Sequence, residues 1–219
     1  MGDRMPERAR SADASAGLPP RAVPPGTAGR ILAAGLELFA EKGFSGTSIR
    51  DIGARAGINS ATLYSHYRSK EHVLADLVLL GHQELHGRLQ HALVTARGGP
   101  AGKLAALVRA HVLAHAEYAQ LARVANAELH VLGSEAAAPS LALREQSRQL
   151  LLALLDEGVR GGEFTAADPL LAAAAIVGMG RQVAHWYRPN QPYTPEQIAD
   201  TFSGYALALV GAAEHDREK

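Results

Sequence analysis

The chain has 219 residues, no cysteine and a formal net charge of +0, with 47% hydrophobic and 20% charged residues. These are globular proportions, so a wholly disordered chain, a disulfide framework and thiolate chemistry are excluded, and abundant alanine and leucine with few aromatic residues favour packed helices over sheets. Basic residues outnumber acidic ones by four up to Lys70, and the reverse holds by four after it, which indicates a polyanionic partner at one end only.

Residues 1–26 are rich in proline, alanine, arginine and serine and have no helical period of apolar residues, so we expect a flexible N-terminal arm. The arm is either inert or brings arginines to phosphate or a minor groove, the candidates being Arg4, Arg8, Arg10 and Arg21. It lacks the apolar segment of a signal peptide, and no stretch reaches the roughly 18 uninterrupted apolar residues of a membrane span. We therefore expect a cytoplasmic protein without membrane contact.

The first predicted helix runs from about Thr27 to Lys42. Thr27 can serve as its N-cap, and Gly43 stands where a left-handed C-cap is wanted. Apolar residues recur inside it at helical spacing, namely Ile31, Leu32, Leu36 and Phe39.

Two short helices follow, separated by a tight turn at Gly57. Thr47 or Ser48 caps the first, and Asn59 caps the second, which extends to Tyr67. An apolar interior is supplied by Ile49, Ile52, Ile58 and Leu63, and close crossing of the helices by Ala54 and Ala56. The outward side of the second helix carries short or hydroxyl-bearing residues suited to a major groove: Ser60, Ala61, Thr62, Tyr64 and Ser65. The segment therefore predicts a helix-turn-helix.

A long fourth helix is expected over 70–96. Beyond it, apolar periodic runs predict five more helices, at about 103–118, 120–132, 139–160, 169–187 and 195–213. We find no internal repeat and no convincing strand. The prediction is an all-α protein of about nine helices, with an N-terminal three-helix DNA-binding domain and a larger helical domain for regulation and dimerisation.

Three blocks of sequence resemble the DNA-binding domain of the TetR/AcrR family of repressors: LELFAEKGF from Leu36, TSIRDI from Thr47 and TLYSHYRSKE from Thr62. The resemblance is spread over about residues 30–77 and does not depend on one short match. It departs from the family at Ala61, where glycine is frequent, and at Tyr67, where phenylalanine is usual. It implies a transcription regulator, a repressor above all, that binds double-stranded operator DNA.

The resemblance also implies the residues that contact DNA. These are Thr47, Ser48 and Arg50 at the backbone or groove edge, Ser60, Ala61, Thr62 and Tyr64 at bases and phosphates, and His66 and Lys70 as phosphate clamps. Arg50 has the alternative of a surface ion pair with a neighbouring acid. Lys70 stands at a helix start, where the macrodipole disfavours a cation and a phosphate would relieve that cost.

The segment from Leu170 to Val183 is hydrophobic all round, which is typical of a helix buried on both sides. Gly178 and Gly180 allow close approach. Pairing of the last two helices with their symmetry mates resembles the family's dimer, and its two-fold axis would match a palindromic operator. The alternative is a helix buried inside a monomer.

A pocket for a small effector is expected between about residues 103 and 188. Its candidate contacts are His111, His115, Tyr118, Arg123, Asn126, His130, Arg181, Trp186 and Tyr187. The sequence NAELHVL from Asn126 and the later AHWYRP from Ala184 resemble a subgroup of the family that senses CoA thioesters of fatty acids or steroid breakdown products. An acyl-CoA is thus one candidate effector; a smaller apolar or aromatic metabolite, or no ligand, are the others.

Two histidine pairs, His82 with His86 and His111 with His115, have a spacing that can share one zinc ion. No HExxH pattern completes a site, so we expect packed or solvated histidines and no metal. Since no nucleophile–base set, phosphate-binding loop or paired carboxylates are evident, we expect no cofactor and no enzyme, the alternative being a helical enzyme or ligand-binding protein without a DNA role. The expected division is an arm at 1–26, a DNA-binding domain at 27–73 and a ligand-binding and dimerisation domain at 74–214.

Overall fold

The structure is a computed structural model that describes residues 17–212, and within that range the chain forms nine α-helices, one 3-10 turn and no β-strand. The all-α prediction is confirmed. The helices are α1 Thr27–Lys42, α2 Ile49–Arg55, α3 Ser60–His66, α4 Lys70–Thr95, α5 Pro100–Glu117, α6 Ala119–Ala127, α7 Ser134–Arg160, α8 Pro169–Trp186 and α9 Pro195–Leu209, with the 3-10 turn at Leu129–Val131. No helix in this part of the chain combines the length and hydropathy needed to cross a bilayer.

The cap of α1 and the starts of α5 and α7 differ from the sequence prediction, and α5 begins at Pro100 instead of at about residue 103. The N-cap of α1 is Gly26, without a side-chain cap, and Thr27 is the first helical residue instead. Helix α7 begins at Ser134 and contains Pro139 in its second turn. A proline is favoured at a helix start because its missing N–H costs least there; in α7 the helix instead loses one backbone hydrogen bond one turn later.

The chain divides into two compact units. The first contains α1 to α3, α4 as far as Glu84, and Gln120–Ser140. Helices α4 and α6 approach closely within it, since a Cβ built on Gly81 would lie 3.2 Å from the Cβ of Ala125. Its core is formed by fully buried side chains, among them Ile31, Leu32, Ile52, Leu63, Leu74, Leu77 and Leu121.

The predicted N-terminal arm is packed at its carboxyl end. Leu18 is 2% exposed, and the Ala22 N–H donates to the carbonyl of Pro19 at 3.0 Å. Because a buried leucine ties the chain to a core, the expectation of a flexible arm is corrected at Leu18. Arg21 is exposed. Arg4, Arg8 and Arg10 lie outside the described residues.

The second unit comprises Leu85–Ala119 and the chain from Leu141 onward. Helix α5 packs against α8 and α9. Apolar residues from all three helices form its core, including Leu104, Val108, Val112, Ile176, Val183 and Ala199. Two polar contacts join α5 to α9, an ion pair between Arg109 and Asp200 and a hydrogen bond from Ser203 Oγ to the Ala105 carbonyl at 3.1 Å.

Candidate nucleic-acid interface

Helices α2 and α3 are locked together by two buried side chains and a close backbone crossing. Ile52 and Leu63 are fully buried, and Gly57 makes the turn with a φ of 66° that favours glycine. A Cβ built on Gly53 would lie 2.9 Å from Leu63 Cδ2, closer than such atoms normally approach. The sequence analysis assigned the close crossing to Ala54 and Ala56, but Ala54 is exposed and Ala56 half-buried. Gly53 is the residue that permits it.

Side-chain caps hold the starts of both short helices. Asp51 N donates to Ser48 Oγ at 3.1 Å, and Ser48 N donates to Asp51 Oδ2 at 3.0 Å, which completes the predicted capping box. The Ser48 hydroxyl and amide hold the pKa of the Asp51 carboxyl below its usual range. At α3, Asn59 Oδ1 accepts from Thr62 N at 2.8 Å. Since each helix has only seven residues, these caps supply a large share of its local stability.

The outward side of α3 is accessible. Ser60, Ala61, Ser65 and His66 are exposed, Thr62 is half-buried, and the Tyr64 side chain is 47% exposed. Arg50 on α2 is also exposed, and none of the ion pairs within residues 17–212 includes it. The two short helices thus expose hydroxyls, one aromatic ring and one arginine, which are groups that can contact bases and phosphates in a major groove.

Thr47 was predicted to touch DNA, and the structure corrects this for its side chain. Thr47 is 2% exposed, and its hydroxyl lies 2.9 Å from the Gly43 carbonyl and 3.2 Å from the Leu38 carbonyl. The hydroxyl is therefore used to close the turn between α1 and α2. A polar residue directly before a helix gives no indication of whether it faces solvent or the preceding helix.

Lys70 was predicted to clamp phosphate, but its ammonium group is bound by the protein. Nζ donates to the carbonyls of Phe44 at 2.8 Å and Thr47 at 2.9 Å, and lies 4.1 Å from the centroid of the Phe44 ring. The sequence predicts a phosphate as the group that relieves the cost of a cation at this helix start. The partner in this structure is a pair of carbonyls, so Lys70 fixes the same turn as Thr47.

Two contacts that hold these helices join residues 9 to 18 positions apart on neighbouring helices, and no sequence motif pairs them. Arg55 on α2 bonds to Glu37 at 2.7 Å and Glu41 at 3.1 Å on α1. The arginine lowers the pKa of the Glu41 carboxyl, and the two carboxylates raise that of Arg55. The Tyr67 hydroxyl donates to Asp76 Oδ2 at 2.9 Å, which gives a physical role to the tyrosine that replaces the family's usual phenylalanine.

Six of the nine predicted effector contacts lie in the second unit, where three are built into packing. His111 and His115 are buried with ring centroids 4.4 Å apart, and Tyr187 is buried against the core. A Cβ on Gly180 would overlap His111 Nδ1, so this glycine serves packing of α8 on α5 within one chain and not the predicted approach of a second copy. The remaining three are accessible in part, namely Tyr118 beneath the Arg88 guanidinium, Arg181 and Trp186.

The other three predicted effector contacts belong to the first unit. Asn126 Nδ2 donates to the Ala122 carbonyl at 2.7 Å, and His130 Nδ1 lies 2.7 Å from the Ala127 carbonyl. Arg123 is half-buried and has a bonding partner. Each of the three is thus engaged within its own chain, and an effector role for the nine residues stays a prediction. Among residues 17–212, no cluster of three metal-ligating side chains is found.

The second unit contains an open groove, and none of the nine predicted effector contacts lines it. Its volume is about 660 Å³, and α4, α5 and α7 line it with His86, Gln90, Leu93, Val94, Lys103, Glu145, Gln146, Gln149, Leu150, Ala153, Leu154 and Glu157. Lys103 is paired with Glu157 at 3.0 Å, while Glu145 is paired with Arg148 at 2.7 Å, which lowers the pKa of its carboxyl to about 2. The groove combines apolar side chains with amides and a rim of neutralised charges.

Two family profiles match this chain. One, described as bacterial regulatory proteins of the tetR family, matches residues 31–77, and the other, described as a tetracyclin repressor-like C-terminal domain, matches residues 97–210. The chain belongs to the TetR family. It is accordingly a DNA-binding transcriptional regulator, and the first profile covers all of α2 and α3.

Several TetR-family proteins are similar over nearly the whole chain. The transcriptional repressor KstR2 of Rhodococcus jostii is 26% identical, with 86% of this chain and 95% of the relative covered. The fatty acid metabolism regulator protein of Bacillus subtilis is 25% identical over the same shares of both chains. Among solved structures, a tetR-family regulatory protein from Rhodococcus RHA1 has a TM-score of 0.81 at 30% identity, covering 87% of this chain and all of its own.

The solved structure of the ketosteroid transcriptional regulator KstR2 from Mycobacterium tuberculosis is also similar. It has a TM-score of 0.76 at 26% identity and covers 88% of this chain and 96% of its own. The similarity to KstR2 therefore extends through both compact units.

Proposed function

We propose that the protein is a homodimeric repressor that binds a palindromic operator through two copies of α3 and is released by a small apolar effector bound in the second unit. The observation that supports this most directly is the exposed hydroxyl-bearing side of α3 on a locked and capped scaffold. Ser48, Arg50, Ser60, Ala61, Thr62, Tyr64 and His66 are the proposed DNA contacts. Because the proposed target is operator DNA, we propose that the protein acts in the cytoplasm. We also propose that it is a regulator and not an enzyme.

The proposed dimer uses the apolar residues that α8 and α9 leave uncovered. Leu170 and Leu171 are 62% and 69% exposed, and Tyr205 and Leu209 on α9 are 57% and 47% exposed. Ala174 and Ala175 are exposed beside them on α8. An apolar surface spread over two neighbouring helices is typical of an interface between protein chains. A second copy related by a two-fold axis would cover it and would place two α3 helices on two half-sites.

The dimer is tested by the double substitution Leu171→Glu with Tyr205→Glu, compared with Leu141→Glu, which adds a charge to an exposed leucine of α7. We expect the double variant to sediment as a monomer and to lose operator affinity, because carboxylates would be buried without partners at the interface. Leu141→Glu should remain a dimer. A double variant that stays dimeric in analytical ultracentrifugation contradicts this arrangement.

The proposed effector site is the groove between α4, α5 and α7. Its leucines, with Val94 and Ala153, offer an apolar floor, while the glutamines can fix one polar group. Lys103, the lysine of its lining, is already paired with Glu157, so the groove does not match the phosphates of a CoA moiety. We place the apolar acyl or steroid part in the groove, with any CoA moiety outside it. The names of KstR2 as a ketosteroid regulator and of the fatty acid metabolism regulator support this chemistry.

The effector is identified with three matched pairs, each a free acid and its CoA thioester: a long-chain fatty acid, a branched short-chain acid and a steroid-derived acid. The effector should raise the melting temperature and release an operator duplex. Ala153→Trp, which fills the groove, should abolish both effects, whereas Ala138→Trp on an exposed part of α7 should not. If no compound changes either quantity at saturation, the proposed effector class is wrong.

Operator binding itself is tested by gel shift with short palindromic duplexes from the gene's own upstream region. Affinity should fall steeply with salt, because phosphate contacts release counterions. A dimeric protein that shifts none of these duplexes at modest salt contradicts the proposed mode of action.

A further inference from the structure

The turn between α1 and α2, residues 43–47, is held by three side chains. The Thr47 hydroxyl and the Lys70 ammonium bind its carbonyls, as described above. The third contact comes from Glu128, 84 positions further along the chain, whose Oε1 accepts from the Phe44 N–H at 3.2 Å. Lys70 therefore holds the carbonyl of Phe44 while Glu128 holds its N–H, so both peptide groups that flank this residue are fixed.

This turn leads directly into the DNA-binding helices. Ser48, the N-cap of α2, follows Thr47 without an intervening residue. A rotation of the peptides around Phe44 would therefore move the start of α2, the exposed Ser48 and Arg50, and through the Gly53 crossing the position of α3.

Glu128 is set in place by α6. It follows the last residue of that helix and is the N-cap of the 3-10 turn. Leu121, Val124 and Ala125 of α6 are buried in the first unit, and the close approach at Gly81 fixes the height of α6 along α4. The position of the carboxylate therefore depends on the position of α6, although α6 is not part of the three-helix DNA-binding segment.

The contact has the length at which a small displacement matters. At 3.2 Å it lies at the long end of N–H···O hydrogen bonds, so a shift of α6 of about 1 Å away from the turn would break it. The Phe44 amide is part-buried, and an amide that loses its acceptor in such a position is costly.

We propose that Glu128 is a positioning residue for operator binding: it fixes the α1–α2 turn through the Phe44 amide and makes the placement of α2 and α3 depend on the position of α6. This rests on the proposed function, since it names how a displacement in the regulatory helices would reach the DNA-binding helices. Coupling of this kind is reciprocal, so operator binding must in turn stabilise the end of α6.

The test compares Glu128→Ala and Glu128→Gln with Glu135→Gln, a matched control at an exposed acid in the first turn of α7. Glu128→Ala should weaken operator binding about fivefold to tenfold through the lost hydrogen bond, although removal of a negative charge alone favours binding to DNA. Glu128→Gln keeps an amide oxygen as acceptor and should stay within about threefold of wild type. Glu135→Gln should not weaken binding.

Amide hydrogen exchange distinguishes a positioning role from a merely structural one. In the DNA-free protein, Glu128→Ala should speed exchange of the Phe44 amide about tenfold or more, with no such effect of Glu135→Gln. Addition of operator should slow exchange over residues 124–131 in the wild type and not in Glu128→Ala.

Three results would overturn the proposal. A Glu128→Ala variant that binds operator as tightly as wild type removes the assignment of Glu128, and so does one in which operator still slows exchange over 124–131. A wild-type protein that binds no duplex refutes the proposed function as well, which is a distinct result because the loss is then present before any substitution.

Discussion

Helices α2 and α3 have seven residues each, whereas α5, α8 and α9 have 15 to 18, and the two compact units use polar side chains in correspondingly different ways. In the first unit, Ser48, Asn59 and Lys70 bind backbone groups at particular turns and helix ends, because two short helices bury too little apolar surface to fix themselves. In the second unit Asp168 and Thr194 cap α8 and α9 in the same way, but the long helices also share an extensive apolar core. The position of a short helix thus depends on a few polar contacts next to it in the chain, whereas the position of a long helix depends on the whole apolar core.

The largest effect is expected from truncating the side chain that joins α3 to its neighbours. Leu63→Ala should cost about 2–5 kcal/mol of stability and abolish operator binding, because α3 loses its buried anchor. Leu104→Ala in the second unit should cost a similar amount and leave the DNA-binding helices in place. Chemical denaturation and gel shifts in the cold measure both. If a folded, dimeric Leu104→Ala variant lost operator binding, the expectation that a core substitution in the second unit leaves α2 and α3 in place would be wrong.

The next effect concerns the exposed tyrosine of α3. Tyr64→Ala should weaken operator binding by about 1–3 kcal/mol, with little change in stability, because the ring is largely in solvent without DNA. Tyr193→Ala, at a tyrosine that is 60% exposed in the second unit, should leave operator binding unchanged. Titration by fluorescence anisotropy is the measurement. Equal affinities for wild type and Tyr64→Ala would remove this residue from the interface.

One buried histidine of the second unit, His111, predicts a pH dependence of stability. Burial, with smaller contributions from His115 and Arg181, holds the pKa of His111 well below its ordinary 6.5. The unfolded chain therefore binds a proton that the folded chain does not, so stability is full above about pH 6.5 and falls below it by up to about 1.4 kcal/mol per pH unit. Denaturation at pH 7.5, 6.5 and 5.5 should show this, with a shallower decline in His111→Leu. An unchanged decline in that variant contradicts the assignment.

The smallest effect is expected from removing the side-chain caps of two helices, one in each unit. Asn59→Ala and Thr194→Ala each remove a cap, from α3 and α9 respectively, and each should cost about 1 kcal/mol of stability. Only Asn59→Ala should weaken operator binding, because of these two helices only α3 is a proposed DNA contact. If Asn59→Ala and Thr194→Ala bind the operator equally tightly, the cap of α3 does not contribute to operator affinity.

Sequence reasoning recovered what short-range signals encode. The all-α class, the bounds of α1 and the capped pair α2 and α3 followed from periodicity, caps and a glycine turn. Predictions failed where the partner of a polar side chain depends on how the chain folds back on itself. The Thr47 hydroxyl bonds to the Gly43 and Leu38 carbonyls, Lys70 binds carbonyls of the α1–α2 turn, and Glu128 accepts from the Phe44 amide. A polar residue in the sequence shows that a partner is needed without showing which.

The candidate effector site could not be predicted for the same reason. Polar and aromatic residues were chosen for their chemistry, yet His111 and His115 fill the core, and the groove is lined mainly by leucines and glutamines of α4 and α7. Leucines and glutamines occur on many helices. They form a groove here only because α4, α5 and α7 pack around it, and the sequence does not show which helices are neighbours.

Helix α8 passes α5 at Gly180 so closely that any side chain there would occupy the space of the His111 imidazole. The two positions consequently share one volume, and substitutions at them can be accepted only in one order. A smaller residue must first replace His111 before residue 180 can gain a methyl group, whereas the opposite order passes through a chain whose α8 is displaced. In descendants of this sequence, a change at residue 180 should therefore be found only beside an already altered residue 111.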